Sequence, residues 1–445
     1  MSRIPMVPGD RYVPWLGKCA EHWVFKPIKY CCSLNSRVLP EKTDAKNVFR
    51  YIDISSVESN GNWQASEPMS FDKAPSRARR VIQDGDILIS TVRTYLLAIT
   101  YIPKVNDNLI CSTGFAVLSP HREIDSEFLS YWVRSNYFVD EIMARSVGVS
   151  YPAINTSDIG NLPVPCLDLN SQKHISDFLY RETTRIDSLI EKKQRQIELL
   201  KEKRAALISY AVTKGLDPEA KMKDSGIKWL GEIPENWKRV ALKRICALVG
   251  RIGFRGYSTN DIVDEKEGAI TLSPSNMKND NLLLQECTYI SWEKYYESPE
   301  IMVRPHDILI VKTGSSFGKV TYVKGKDIDY PTTINPQIMI LKKIVIDPKF
   351  LFYVLASAPY QDYFKIMNTG STIPTMTQEA VGSVIVPAPP LITQQKIVDF
   401  LDSETIHIDN IINKIEISIE LLNEYQIALI SAAVTGKIDV REEVS

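Results

Sequence analysis

A chain of 445 residues is longer than one ordinary core supports, and two domains with connectors fit it better. Its 44% hydrophobic and 24% charged residues exclude a disordered or fibrous protein. A net charge of −1, from 53 basic against 54 acidic side chains, excludes a uniformly basic surface, so a polyanion would have to meet a local patch.

Seven cysteines (Cys19, Cys31, Cys32, Cys111, Cys166, Cys246, Cys287) form no CxxC pair, and the five histidines do not cluster. The reading is reduced, mostly buried thiols and no metal site. No secretory pattern opens the chain and no uninterrupted apolar run reaches the length of a membrane span, which points to the cytoplasm.

In chain order, Trp15-Leu16-Gly17 with Glu21 and Trp23 opens a mixed α/β segment. Gly85-Asp86-Ile87-Leu88-Ile89-Ser90 reads as a turn and then a strand, with further strands over 97–102 and 115–118. A helix is predicted over 126–135 and another just after it. Pro163-Val164-Pro165 is a stiff extended connector, because proline removes a donor and turns its predecessor away from helix. Then comes a helix without internal Gly or Pro, where Leu179, Ile186, Leu189, Ile197, Leu200, Leu207 and Ala211 follow three- and four-residue steps. Lys193 and Arg204 interrupt that seam, and Thr213-Lys214-Gly215 closes the helix, followed by a polar linker.

The pattern then starts again. Trp229-Leu230-Gly231, Glu235 and Trp237 repeat the opening, and His306-Asp307-Ile308-Leu309-Ile310-Val311 repeats the turn and strand. Strands are predicted over 320–323 and 337–341, a helix over 348–357, and an extended connector at Pro387-Ala388-Pro389-Pro390. The second long helix carries Leu401, Ile408, Ile411, Ile415, Ile419, Leu422, Leu429 and Ala433 at the same steps and ends at Thr435-Gly436-Lys437. From Phe128 to Asp217 the first copy lies on Phe350 to Asp439 at a constant offset of 222. Upstream the offset is 214, so the second copy carries eight more residues, within the divergent stretches 24–125 and 238–346.

The implied fold is α/β (α+β): two globular domains separated by two long helices that form an antiparallel coiled coil, related by a pseudo-two-fold axis. The boundaries are 1–168 and 229–390 for the domains, 169–215 and 391–436 for the helices, 216–228 for the linker and 437–445 for the tail. Seam positions are Leu179, Ile186, Ile197, Leu200 and Leu207, with Leu401, Ile408, Ile415, Leu422 and Leu429. Six basic residues against three acidic over 191–204 (Lys192, Lys193, Arg195, Lys201, Lys203, Arg204; Glu191, Glu198, Glu202) oppose Lys414 with Glu416, Glu420 and Glu424 in the equivalent stretch. Opposite signs favour pairing of the helices, though exposed ion pairs are each worth little.

Catalytic strings are missing from the sequence. Asn335-Pro336-Gln337 lacks the second proline and aromatic ring of an amino-methyltransferase clamp. Gly314-Ser315-Ser316-Phe317-Gly318-Lys319-Val320 has three residues between its glycines where a phosphate loop needs four, and no Ser/Thr after its lysine. Asp264-Glu265-Lys266 is a triplet that charged stretches produce by chance.

Polar loops with interspersed aromatics remain. The first copy offers Arg77, Arg79 and Arg80, then Arg93, Thr94 and Tyr95, then Ser150 and Tyr151; the second offers Arg251 and Arg255, Lys312, Thr313, Ser315, Ser316 and Lys319, and Ser371 and Thr372. Such side chains reach base edges and phosphates. The same strings also make ordinary turns, and the residues alone leave both readings open.

Three groups of strings together carry a family resemblance: Trp229-Leu230-Gly231-Glu232-Ile233-Pro234-Glu235-Asn236-Trp237 with its counterpart Trp15 to Trp23; Asn170-Ser171-Gln172-Lys173-His174-Ile175 and Pro389-Pro390-Leu391-Ile392-Thr393-Gln394-Gln395-Lys396-Ile397; and the Ala-Val-Thr helix ends. Across essentially the whole chain the pattern resembles the specificity subunit of a type I restriction-modification system. Lys18-Cys19-Ala20-Glu21-His22-Trp23 departs from the usual Glu-Ile-Pro-Glu-x-Trp opening.

The resemblance implies two target-recognition domains that each read a short half-site of double-stranded DNA, with the helices as a ruler. It implies two methylation subunits docked on the helical region, and motor-nuclease subunits in the full complex. S-adenosylmethionine, ATP and Mg would sit on those partners, leaving this chain non-catalytic with no metal of its own. Divergence between the domains implies two different half-sites and an asymmetric target. A stand-alone or fused adenine methyltransferase, and a coiled-coil adaptor without a DNA role, are the competing readings.

Overall fold

The structure is a computed structural model describing residues 23–104, 108–251, 256–278, 281–368 and 373–440. Contacts divide the chain into two units that cut across the sequence order. One unit holds residues 1–194 and 416–445, the other 195–415.

Each unit is built on a four-stranded antiparallel sheet with the same order. In the first it runs Cys32–Leu34, Phe115–Pro120, Ile87–Ser90, Ile99–Tyr101. In the second it runs Ala247–Gly250, Ile338–Lys342, Ile308–Val311, Val320–Tyr322. The strands Ile87–Ser90 and Ile308–Val311 are buried at every position, because alternate side chains enter different cores. Ile87 and Ile89 face a core shared with helices, and Leu88 a second core beneath the other sheet. Ile308 and Ile310, against Leu309 and Val311, divide the same way.

That other sheet explains the sequence divergence. Both units keep a parallel pair in it, Val48–Ile52 with Leu109–Ser112 at the centre of the first and Gly268–Leu272 with Thr332–Ile334 at one edge of the second. The edges differ: Ala78–Val81 flanks the pair in the first unit, whereas Thr288–Ser291 flanks it in the second. Gly268 is required there, since a Cβ would lie 1.9 Å from the Ile290 carbonyl oxygen.

The proline connectors are not bare spacers. Pro163–Cys166 pairs antiparallel with Val24–Pro27, and Ile385–Ala388 with Lys238–Ala241. A two-stranded ladder uses every second N–H, so prolines fit where no donor is needed.

The long helices run over Leu169–Lys214 and Leu391–Val434. Gly215 and Gly436 follow them with φ of 81° and 68°, the left-handed cap that glycine adopts without strain. Within the first unit, Leu179 and Phe178 share a core with Ile430, Ala433 and Val434 from the other helix. Within the second, Leu401 and Ile397 share one with Ile208, Ala211 and Val212. The same contact recurs in each: Gln426 Nε2 donates to Asp187 at 2.9 Å, and Arg204 meets Asp409 at 3.2 Å. Since Asp187 maps to Asp409 and Arg204 to Gln426 at the offset of 222, this is one antiparallel contact made twice.

Of the seam residues, Leu179, Ile186, Ile197, Leu401 and Ile408 are buried, while Leu200, Leu207, Ile415, Leu422 and Leu429 are half-buried. Leu189 is exposed and Ile190 takes the inner side; likewise Ile430 lies deeper than Leu429. A helix of 3.6 residues per turn drifts against a 3.5 repeat, and neighbours exchange roles as it does. Arg204 of the basic stretch meets Asp409, which lies outside the acidic stretch expected to oppose it, and Arg195 pairs with Glu198 on its own helix at 2.8 Å. By length and composition the second long helix would pass as a membrane span, with mean hydropathy 1.2 over 18 residues. A search for uninterrupted apolar runs misses it because Asn, Gln, Ser and Glu are interleaved with Ile and Leu.

A buried glutamine fastens each helix to its domain. Gln172 Oε1 accepts from Asp125 N at 2.8 Å, and its Nε2 donates to the carbonyls of Leu167 at 2.8 Å and Glu123 at 3.2 Å. Gln394 does the same with Asp347 N at 2.8 Å and the Pro389 carbonyl at 2.7 Å. Asp125 and Asp347 in turn cap the preceding helices through Phe128 N and Phe350 N. Gln172→Ala leaves buried backbone groups without partners, so the urea midpoint should fall by the equivalent of about 1–3 kcal/mol, with Gln394→Ala matching it. An unchanged midpoint for both would show that the glutamines fasten nothing.

Candidate nucleic-acid interface

In both units the loop after the central strand is tied to the segment preceding a short helix, by the same backbone bonds. In the first, Val92 bridges Ala153, Thr94 N donates to the Pro152 carbonyl at 3.4 Å, and Ile154 N to the Thr91 carbonyl at 2.9 Å. In the second, Thr313 bridges Thr375, Gly314 N donates to the Pro374 carbonyl at 3.1 Å, and Met376 N to the Lys312 carbonyl at 3.0 Å. These bonds use main chain only, so they leave the loop side chains free to differ.

The first unit thereby gathers Arg93, Tyr95, Ser150 and Tyr151 into one exposed edge, whereas Thr94, expected there too, is buried at 3% exposure and belongs to the frame behind it. The Arg93 guanidinium lies 5.0 Å from the Tyr151 ring centre, and the Thr94 and Ser146 hydroxyls meet at 2.8 Å. Arg93 itself has φ 50°, outside the region that a side chain prefers. Gly148, at φ 117°, lets the tip turn back beneath the Tyr151 carbonyl. Around it stand Val147 and Val149, which sequence reading by polar residue type passed over; they are 80% and 102% exposed.

Arg77, Arg79 and Arg80 lie at and within Ala78–Val81, an edge strand of the other sheet. Arg77 is exposed, but Arg79 stacks on Phe71 at 4.6 Å. Burial pulls the Arg80 pKa down. Only Arg77 of the three is open to an incoming ligand as the chain stands.

In the second unit, Lys312, Thr313, Ser315, Ser316 and Lys319 form the turn of the hairpin between Ile308–Val311 and Val320–Tyr322. Ser315 is exposed and the other four are half-buried; burial also lowers the Lys312 pKa. The turn opens no helix, consistent with its unsuitable phosphate-loop spacing. Arg255, Ser371 and Thr372 lie outside the described residues.

Arg251 is turned inward at 4% exposure, with Nε on the Ile334 carbonyl at 3.2 Å and its guanidinium 5.6 Å from the Tyr257 ring. Its guanidinium bonds the strand Thr332–Ile334, also reaching the Thr333 hydroxyl at 3.4 Å, so its place is in the scaffold and not at the loop edge. The buried thiols of Cys32, Cys111 and Cys246 are pushed up to about 12, which makes them poor nucleophiles near neutral pH.

Known proteins carry the same architecture. The chain is 25% identical over 336 residues to the MjaVIII specificity subunit of Methanocaldococcus jannaschii, covering 75% of each. It is 21% identical over 440 residues to the StySPI specificity subunit of Salmonella potsdam, covering 95% of this chain and 90% of that one. A solved structure described as showing complex assembly and conformational transition of the type I R-M system shares the fold with a TM-score of 0.74 at 22% identity, covering 95% of this chain and all of that one. The HsdS subunit from Thermoanaerobacter tengcongensis gives 0.53 at 21% identity, with 96% of this chain and 100% of that chain covered. A model of the type I restriction modification DNA specificity domain matches residues 21–199 and again 234–421, which are the two copies, and the chain belongs to that family.

Proposed function

We propose that this non-catalytic specificity subunit directs its complex to an asymmetric bipartite DNA site, one half-site to each unit. The observation that carries this is the matched pair of main-chain bridges, Val92–Ala153 and Thr313–Thr375. They present two chemically different loop edges from one common frame. Arg93, Tyr95, Ser150 and Tyr151 would read the first half-site; Lys312, Thr313, Ser315, Ser316 and Lys319, with Ser371 and Thr372, the second. Charged side chains anchor phosphates, and hydroxyls and rings meet base edges.

The matching helices would receive two methylation subunits and set the gap between half-sites, at about 1.5 Å per residue. S-adenosylmethionine, ATP and Mg belong in this reading to the methylation and motor-nuclease partners, and the complex works in the cytoplasm. Buried seam residues and the repeated Asp187–Gln426 and Arg204–Asp409 contacts support a coiled-coil ruler.

Co-expression with the cognate methylation subunit and genome-wide mapping of methylated adenines should return two dissimilar short motifs around a fixed gap. A palindrome or an uninterrupted motif would overturn the asymmetric reading. Deleting one turn from each long helix should shorten that gap while both motifs persist; an unchanged gap would sink the ruler. Arg93→Ala should weaken specific binding about tenfold in gel shifts of the complex and leave the unfolding midpoint in place. Arg251→Ala should do the reverse and lower the midpoint, since it empties a buried site.

A further inference from the structure

We propose that Val147 and Val149 read the 5-methyl group of a thymine in the half-site of the first unit, through the major groove. This rests on that unit meeting DNA by its loop edge and names the base chemistry it selects.

The backbone of Val147 is fixed, and Val149 lies two residues further along the same loop. Val147 and Ala153 exchange two main-chain bonds, Val147 N to the Ala153 carbonyl at 2.8 Å and Ala153 N to the Val147 carbonyl at 3.0 Å. The Ser146 hydroxyl donates to the Ile142 carbonyl at 2.7 Å, tying the loop's start to the preceding helix. Two branched apolar side chains thus stand in water at 80% and 102% exposure, in the loop that carries Tyr151 and its Arg93 partner.

A valine neither donates nor accepts a hydrogen bond, so it gains nothing from phosphate, sugar hydroxyl or base amide. The thymine methyl is the apolar group that a duplex displays in its major groove; the minor groove shows none. Arg93, beside the same tip, supplies a cation for the flanking backbone. The second copy has Thr369 and Ser371 at the equivalent positions, hydrogen-bonding residues suited to a different base. Valines at these two sequence positions in one copy and hydroxyl residues in the other fit an asymmetric target.

The test uses the complex of the full chain with its methylation subunit on its mapped target, by gel shift at fixed salt. Each thymine is replaced in turn, on either strand, by deoxyuridine, which pairs identically but lacks the methyl. At one position or more in one half-site, deoxyuridine should weaken binding about fourfold, the worth of one buried methyl-sized group. In the Val147→Ala/Val149→Ala variant the same replacement should cost nothing further. Val149→Thr, nearly isosteric, is the second variant should the double one not fold, and it should shrink the penalty at the same position. The proposal is overturned if every deoxyuridine is neutral, or if the penalty persists undiminished in the variants. A complex that binds target no better than scrambled DNA would instead remove the underlying DNA reading.

Discussion

Neither half of this protein completes its core from its own contiguous stretch of sequence. Ile430, Ala433 and Val434, at the end of the second long helix, fill the core that begins with Trp23 and Phe25. Ile208, Ala211 and Val212, at the end of the first, fill the core around Trp237 and Phe350. Burial of those side chains requires the end of one helix to lie against the start of the other. The antiparallel helix contact within each unit, and the polar contact made once in each, follow from this exchange.

The periodic parts of this fold were legible in the chain. The short apolar runs Ile87–Ser90 and Ile308–Val311 after their turns, the three-four steps of the helices and the glycine caps are local signals whose meaning does not depend on distant residues. Register within the helices was less so, because Leu189 and Ile190 are equally apolar and helical drift decides which turns inward. The proline connectors looked unpaired because their partners, Val24–Pro27 and Lys238–Ala241, lie more than a hundred residues upstream.

Site residues were the least legible. Arg93 and Arg251 are alike as letters, each near a Gly- or Thr-containing turn and a tyrosine. What separates them is the Ile334 carbonyl, 83 residues from Arg251, which draws that guanidinium inside. Type-based selection of polar residues also overlooked Val147 and Val149, whose exposure depends on a bridge that only the folded chain reveals. Charge identifies candidates for binding, but burial chooses among them.

The main-chain bridges behind the two loop edges have a consequence for how such a protein changes over time. A bond between a backbone N–H and a carbonyl is indifferent to which side chain its residue carries. Val92 in one copy stands where Thr313 stands in the other, and Ala153 where Thr375 stands, yet the frame is unaltered. Substitutions on the outer edge can therefore accumulate one at a time while the main-chain frame beneath them stays in place. Change at the tip and constancy at the hinge are uncoupled by nothing more than two backbone hydrogen bonds in each copy.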